Sequence, residues 1–149
     1  MKASELRIGN LILGARGYVK VSAILESGLI RIEGNSSFFG VEGSEPCLLP
    51  IPLTEEWLVK FGFDVTESFN DGEKVDYQYE LFFNIEYITE RVFHYDTDED
   101  GVTVSFGVRE IWDNEDLMDS RSWIVKNIKY VHQLQNLYFA LTGEELTIK

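Results

Sequence analysis

The sequence predicts an α+β fold, in one domain that spans residues 1–149. Three observations predict this class. Apolar and polar residues alternate over much of the chain, a segment around residue 57 carries the signals that begin and end a helix, and the last part has apolar residues at helical spacing. With 149 residues, 44% of them apolar, the chain should bury roughly 70% of its unfolded surface and fold unaided. Within the domain we distinguish a barrel-like sheet over 1–50 from a helix, an antiparallel sheet and a C-terminal helix over 51–149.

The N-terminal part predicts a small SH3-like barrel or curled sheet over residues 6–50. From Val19 to Ala23 apolar and polar residues alternate, which is the period of a half-buried antiparallel strand. A loop rich in Gly, Ser and Pro follows. It contains Phe38 and Phe39, which we interpret as a plug in the core, with an exposed tip that contacts a partner as the alternative.

The stretch "LTEEWLVKFGF" predicts a short capped helix. Thr54 suits the N-cap and Gly62 suits the residue that follows the last turn, where a left-handed backbone is common. The apolar residues between them are Trp57, Leu58 and Phe61. They should dock on a sheet.

Residues 63–112 predict an antiparallel sheet with an acidic hairpin. The segment "DTDEDG" at 96–101 lies between two apolar stretches with strand character, and its Asp-Gly pair is typical of a hairpin turn. Six acidic residues are the predicted partner-binding positions. They are Asp96, Asp98 and Asp100 in the hairpin, and Asp113, Glu115 and Asp116 in a second acidic loop.

The C-terminal segment predicts a helix that packs on the sheet and ends before Gly143. Its apolar residues Val131, Leu134, Tyr138 and Leu141 are spaced three, four and three apart. Three polar residues lie beside this stripe, and we interpret them as a solvent-facing flank, with a hydrogen-bonded interface as the alternative. They are Gln133, Gln135 and Asn136.

Charge gives the strongest indication of function. The net charge is −13, and residues 64–122 contain seventeen acidic and four basic side chains, whereas the rest has nine of each. Direct binding of nucleic acid is not expected, because neutralising phosphates requires a basic patch. A concentrated acidic segment instead suits a protein partner with a basic surface. The sequence therefore predicts a non-enzymatic protein-interaction module, and a DNA mimic that inhibits a nucleic-acid-binding protein is an alternative.

A second alternative is a module that binds a divalent metal such as calcium, or a small molecule, at the hairpin. Asp96, Asp98, Asp100 and Gly101 fill positions 1, 3, 5 and 6 of a calcium loop. Position 12 is Gly107, where a bidentate glutamate is needed, and the flanks have strand character instead of helix character. The pattern therefore favours a hairpin tip over a calcium loop.

Nothing in the sequence indicates catalysis, a cofactor or a membrane segment. The chain has no Gly-rich phosphate loop and no G-x-S-x-G elbow, its single Cys47 excludes an internal disulfide, and His94 and His132 are far apart. No apolar run approaches the ~20 residues that span a bilayer, and the N-terminus lacks a secretory signal. We expect a cytoplasmic protein without a cofactor, and a homo-oligomer is not indicated.

Three blocks, "SELRIGN", "PIPLTEEWLVKFGF" and "IKYVHQLQNLYFALTGEEL", resemble a family of small uncharacterised proteins from phages and prophages of gut bacteria. The resemblance brings no activity, cofactor or site residue to this chain. It implies an accessory gene of a mobile element, and such genes often encode proteins that bind host factors, so it favours interaction over catalysis by analogy. The acidic middle lies outside the matching blocks.

Overall fold

The computed structural model describes residues 1–41, 48–70, 73–86, 89–98, 101–111, 117–126 and 128–149. The chain forms two compact units. Unit 1 consists of Met1–Leu53 with Lys129–Thr147, and unit 2 consists of Thr54–Ile128 with Ile148–Lys149. This grouping differs from the division at residue 50, because the C-terminal helix belongs with the N-terminal sheet.

Unit 1 contains a curled antiparallel sheet, as predicted for this part of the chain. Its strands are β1 (Leu11–Gly14), β2 (Gly17–Ile24), β3 (Leu29–Ile32) and β4 (Phe39–Gly40), in that order across the sheet. Strand β2 pairs with β1 through its first half and with β3 through its second half, and the register shifts between Val21 and Ala23. Such a bulge increases the local twist, which explains how one strand serves both pairings in a half-barrel.

A further backbone segment extends this sheet beyond β1. The N–H groups of Leu13 and Leu49 each donate to the other residue's carbonyl, at 2.8 and 2.9 Å. The concave side encloses the core of buried residues, which are Leu6, Ile12, Val21, Ile30 and Leu48.

The two phenylalanines of the following loop differ in position. Phe39 belongs to β4 and packs against the core, so it is the plug that the sequence predicts. Phe38 is 39% exposed, and the Arg31 guanidinium lies 5.6 Å from its ring centroid. Phe38 is therefore not a core plug, and its contact with a partner stays a prediction.

The C-terminal helix α2 spans Val131–Thr142 and contacts β1. Gly143 follows with φ of 77°, a left-handed value that ends the helix at low cost for glycine. Val131, Leu134 and Tyr138 of the predicted apolar stripe are buried, whereas Leu141, its last residue, is 37% exposed.

Unit 2 begins with the predicted capped helix, α1, which spans Glu55–Phe61. Gly62 has φ of 82°, and the N–H groups of Gly62 and Phe63 donate to the carbonyls of Val59 and Leu58 at 2.9 and 3.0 Å. This is the paired bonding of a Schellman ending. Thr54 has the extended backbone of an N-cap, but its side chain makes no capping hydrogen bond.

The remainder of unit 2 is a five-stranded antiparallel meander. Its strands are β5 (Asp64–Asn70), β6 (Glu73–Glu86), β7 (Thr89–Asp98), β8 (Gly101–Ile111) and β9 (Leu117–Lys126), and each pairs with the next along the chain. The predicted second sheet is therefore present, and its strand order follows the sequence.

Candidate functional site

The acidic hairpin is formed by β7 and β8, as the sequence predicts. Asp96 pairs with Thr103 and Asp98 pairs with Gly101, so both aspartates occupy positions near the end of β7. Gly101 is the first residue of β8, and Glu99 and Asp100, which come between the two strands in the chain, lie outside the described residues.

The other predicted partner-binding residues fall outside the described residues. These are Asp100, Asp113, Glu115 and Asp116. In chain order Asp100 precedes β8, whereas the other three lie between Ile111 and Leu117, which pair at the far end of that strand. At about 3.3 Å per residue the two ends of β8 are roughly 33 Å apart.

Charge divides between the two units. Unit 1 contains seven acidic and six basic side chains, a balance of −1, whereas unit 2 contains nineteen and seven, a balance of −12. The compact units therefore follow the charge boundary that the sequence indicates at residues 64–122. Nearly the whole net charge belongs to unit 2.

The backbone of β8 bears on the calcium alternative. Gly107, at the position of the closing ligand of a calcium loop, pairs with Val92 on one side and with Ser122 on the other. A helix-flanked calcium loop instead has a bidentate glutamate at this position and helices on both sides. Among the residues that the structure describes, no group of three His, Cys, Asp or Glu side chains could hold a metal ion.

A buried polar cluster joins α2 to the N-terminal strands of unit 1. Gln135 accepts a hydrogen bond from the Leu11 N–H at 2.9 Å and donates one to the Leu146 carbonyl at 3.1 Å. The Asn136 side chain accepts from the Asn10 amide at 2.9 Å and donates to the Glu5 carbonyl at 2.8 Å. For Gln135 and Asn136 the interpretation as a solvent-facing flank is therefore wrong, and the hydrogen-bonded interface is correct.

Gln133, the third polar residue of that helix, has a different partner set. Its Oε1 atom accepts from the backbone N–H groups of Lys129 and Tyr130, at 2.8 and 3.2 Å. These N–H groups precede the helix, so Gln133 satisfies donors that have no partner within α2. Its role is to fix the start of the helix.

Arg7 covers one edge of this cluster. Its guanidinium lies 3.4 Å from the centroid of the Phe139 ring, and its Nη2 atom donates to Glu145 at 3.2 Å. Its backbone N–H donates to the Asn10 side chain at 2.7 Å. These contacts are structural, because they tie the turn before β1 to α2 and to the segment that follows α2.

His132 is the most unusual titratable residue in the described part of the chain. It is fully buried, its ring stacks on Tyr130 with centroids 5.7 Å apart, and neither ring nitrogen has a hydrogen-bond partner among the described residues. Burial lowers the pKa of His132, and the nearby Glu5 carboxylate opposes this shift only in part. The residue is therefore a neutral side chain of the core and is unsuited to proton transfer with a substrate.

Sequence reasoning did not identify the buried roles of Asn10 and His132. Asn10 is a single polar residue at the start of an apolar run, and such an isolated residue is the available signal of a buried hydrogen-bonding group. His132 has no comparable signal, because its neighbours at helical spacing are both apolar and polar.

One cleft of about 460 Å³ opens at the surface of unit 1. Its walls include Lys2, Ser4, Glu26, Ser27 and Leu29. The volume is within the range of small-molecule sites, but such sites are mostly apolar and enclose their ligand. Exposed side chains of both charges give this cleft no defined ligand preference.

Comparison of the chain with models of protein families, with curated proteins and with solved structures gave no match. No helix in the described ranges is long and apolar enough to cross a membrane. Function must therefore be inferred from the geometry and charge of the chain itself.

Proposed function

We propose that this protein is a non-enzymatic interaction module that uses acidic unit 2 to bind a protein partner with a basic surface. The observation that carries the proposal is the separation of charge, with a balance of −12 on unit 2 and −1 on unit 1. A charge that served only solubility would have no need to be confined to one unit. The resemblance to phage and prophage proteins supports a partner in the bacterial cytoplasm of a host.

Electrostatic attraction gives this module a defined behaviour. Complementary charge accelerates encounter and excludes partners of the wrong sign, and its effect falls with salt because the Debye length shrinks from about 10 Å at 0.1 M to about 3 Å at 1 M. Binding should therefore be fast at low salt and lost at high salt. Asp96 and Asp98 of β7 are the two predicted partner-binding residues whose backbone the structure describes, so we choose them for the test.

The experiment uses a fluorescein-labelled peptide in which lysine and alanine alternate. Its anisotropy is titrated with the whole protein and with the double variant Asp96→Asn/Asp98→Asn, which keeps side-chain shape and removes two charges. An exposed ion pair contributes about 0.2–1 kcal/mol, so the loss of two should weaken binding by about 2- to 30-fold. Proteins captured from a host lysate at low salt, and released at high salt, would then be identified by mass spectrometry.

The matched control is Glu26→Gln/Glu33→Gln, which removes two charges from exposed side chains of unit 1. It changes the net charge by the same amount as the hairpin variant. If both double variants weaken binding equally, only total charge matters and unit 2 is not a site. If the peptide does not bind at low salt, the acidic module itself is refuted.

A further inference from the structure

Unit 1 has a second surface whose chemistry is opposite to that of unit 2. We define the outer face as the convex side of β1 and β2 around Leu13, Tyr18 and Lys20, with Leu49 beside β1 and Arg16 in the turn between the strands. Ile12 is buried and Val19 packs against the core, so the residues that alternate with them project to the other side of the sheet. That side carries Leu13, Tyr18 and Lys20.

Three apolar side chains form a continuous row across this face. Leu13 is in register with Tyr18 on one side and with Leu49 on the other. The N–H and C=O of Leu13 both bond to Leu49, so the pair with Tyr18 is a non-hydrogen-bonded pair, the type in which side chains are closer together. Leu13, Leu49 and Tyr18 are 39%, 46% and 55% exposed.

The row has cations beside it. Lys20 follows Tyr18 on the same side of β2, and Arg16 occupies the turn two residues before Tyr18. Both are exposed, and neither takes part in an ion pair with any of the described residues, whose two salt bridges are Arg7–Glu145 and Lys60–Glu56. In a chain with thirteen basic and twenty-six acidic residues, two cations beside an exposed apolar row favour an acidic ligand over a basic one at this face.

We infer that the outer face binds an acidic segment of a partner protein that carries apolar side chains beside its carboxylates. Leu13, Tyr18 and Leu49 provide the apolar contact, and Lys20 and Arg16 provide the complementary charge. At about 0.15 M salt the Debye length is about 8 Å, so a ligand on this face responds most strongly to charges within that distance, which include the two cations. The inference is independent of the proposed function, since it concerns a different unit and a ligand of opposite charge.

The experiment measures binding of a fluorescein-labelled peptide in which glutamate and leucine alternate, using the full chain. Two single variants test the two parts of the face. Lys20→Glu turns one exposed attraction into a repulsion and should weaken binding by about 2- to 30-fold. Leu13→Thr keeps a strand-forming residue but removes apolar contact area, and should weaken binding by about fivefold.

Each variant has a matched control in unit 1. Lys2→Glu makes the same charge change at an exposed lysine of the N-terminal turn, and Leu25→Thr makes the same apolar change at a residue that is 41% exposed and lies outside the face. Neither control should change the affinity. Circular dichroism of all four variants establishes that the fold is retained, which is expected because every altered side chain is exposed.

The lysine–alanine peptide separates this inference from the proposed function. Lys20→Glu should leave its affinity unchanged or raise it, whereas Asp96→Asn/Asp98→Asn should not weaken the glutamate–leucine peptide. Absence of glutamate–leucine binding, or equal losses in variants and controls, would overturn the inference. So would a self-associated species in sedimentation that Lys20→Glu dissociates, because the occupant would then be a second copy of this chain.

Discussion

Replacing Gln135 by alanine tests whether the buried polar cluster holds α2 on the N-terminal strands. The substitution leaves two backbone groups without a partner, the N–H of Leu11 and the carbonyl of Leu146. The bond to Leu146 is buried, and an unsatisfied buried group costs about 1–3 kcal/mol. The bond to Leu11 is only partly buried and contributes about 0.5–1.5 kcal/mol, so the total loss should be about 1.5–4.5 kcal/mol.

Gln133→Ala is the matched control, two residues earlier in the same helix. It removes bonds to the backbone N–H groups of Lys129 and Tyr130 at the start of α2, of which the first is exposed and the second partly buried. Water can replace these bonds, so the loss should be that of a capping residue, about 1 kcal/mol. The difference between the two glutamines isolates the effect of burial.

The assay must report on unit 1, which contains no tryptophan, since Trp57, Trp112 and Trp123 belong to unit 2. Hydrogen exchange of the Leu11 amide, followed by NMR, is specific because this N–H donates to the Gln135 side chain. Exchange should accelerate in Gln135→Ala and stay near the native rate in Gln133→Ala. Equal rates in both variants, or a loss below about 0.5 kcal/mol for Gln135→Ala in urea, would refute the assigned role.

Three further predictions concern pH, a glycine and calcium. Because burial lowers the pKa of His132, the unfolded chain binds its proton at a higher pH than the folded chain, so stability should fall as pH drops below about 6.5. Urea unfolding at two pH values should show that the free energy of unfolding falls between the higher and the lower pH in the native chain, and falls less in His132→Phe. An equal fall in both proteins would contradict the prediction. Gly62→Ala should lower the free energy of unfolding by about 1–2 kcal/mol, because the φ of Gly62 is 82° and the added methyl group must also displace the Lys149 side chain. Gly143→Ala is the control, since Gly143 has a similar φ but open space around it. A smaller loss of stability for Gly62→Ala than for Gly143→Ala in thermal unfolding would be inconsistent with the Lys149 contact. The pairing of Asp98 with Gly101 predicts that calcium does not raise the melting temperature. If the hairpin were a calcium site, the melting temperature would rise with calcium concentration, and the rise would disappear in Asp98→Asn.

Local signals predicted the elements of this fold better than their grouping. The helix at Glu55–Phe61 and its Gly62 ending follow from residues within one turn of each other, and the β7–β8 hairpin follows from alternation on both sides of a polar segment. Both depend on short-range physics that the sequence displays directly. The association of α2 with β1 depends on contacts between residues more than 120 positions apart, such as Asn10 with Asn136, and no local pattern encodes that pairing.

The two candidate sites also differ in whether the sequence alone could predict them. Acidic charge is visible in composition, so its concentration in one segment was predictable, although the compact unit that contains it was not. The outer face of unit 1 was not predictable, because its apolar row depends on register between β1, β2 and the segment at Leu49. Leu13 and Leu49 are ordinary apolar residues in the sequence, and only the strand pairing places them on the convex side.

The route of the chain through unit 1 has a consequence for modularity. Unit 1 is complete only after the ribosome has synthesised Thr54–Ile128, because its last part follows that segment in the chain. The points where the chain leaves and re-enters unit 1 are nevertheless adjacent. The Leu53 N–H donates to the Lys129 carbonyl at 2.9 Å, and Pro52 forms a β-bridge with Tyr130. The acidic part is thus an insertion between two neighbouring backbone positions. A short turn between Leu53 and Lys129 could replace it, and an inserted segment of different charge would meet the same two attachment points.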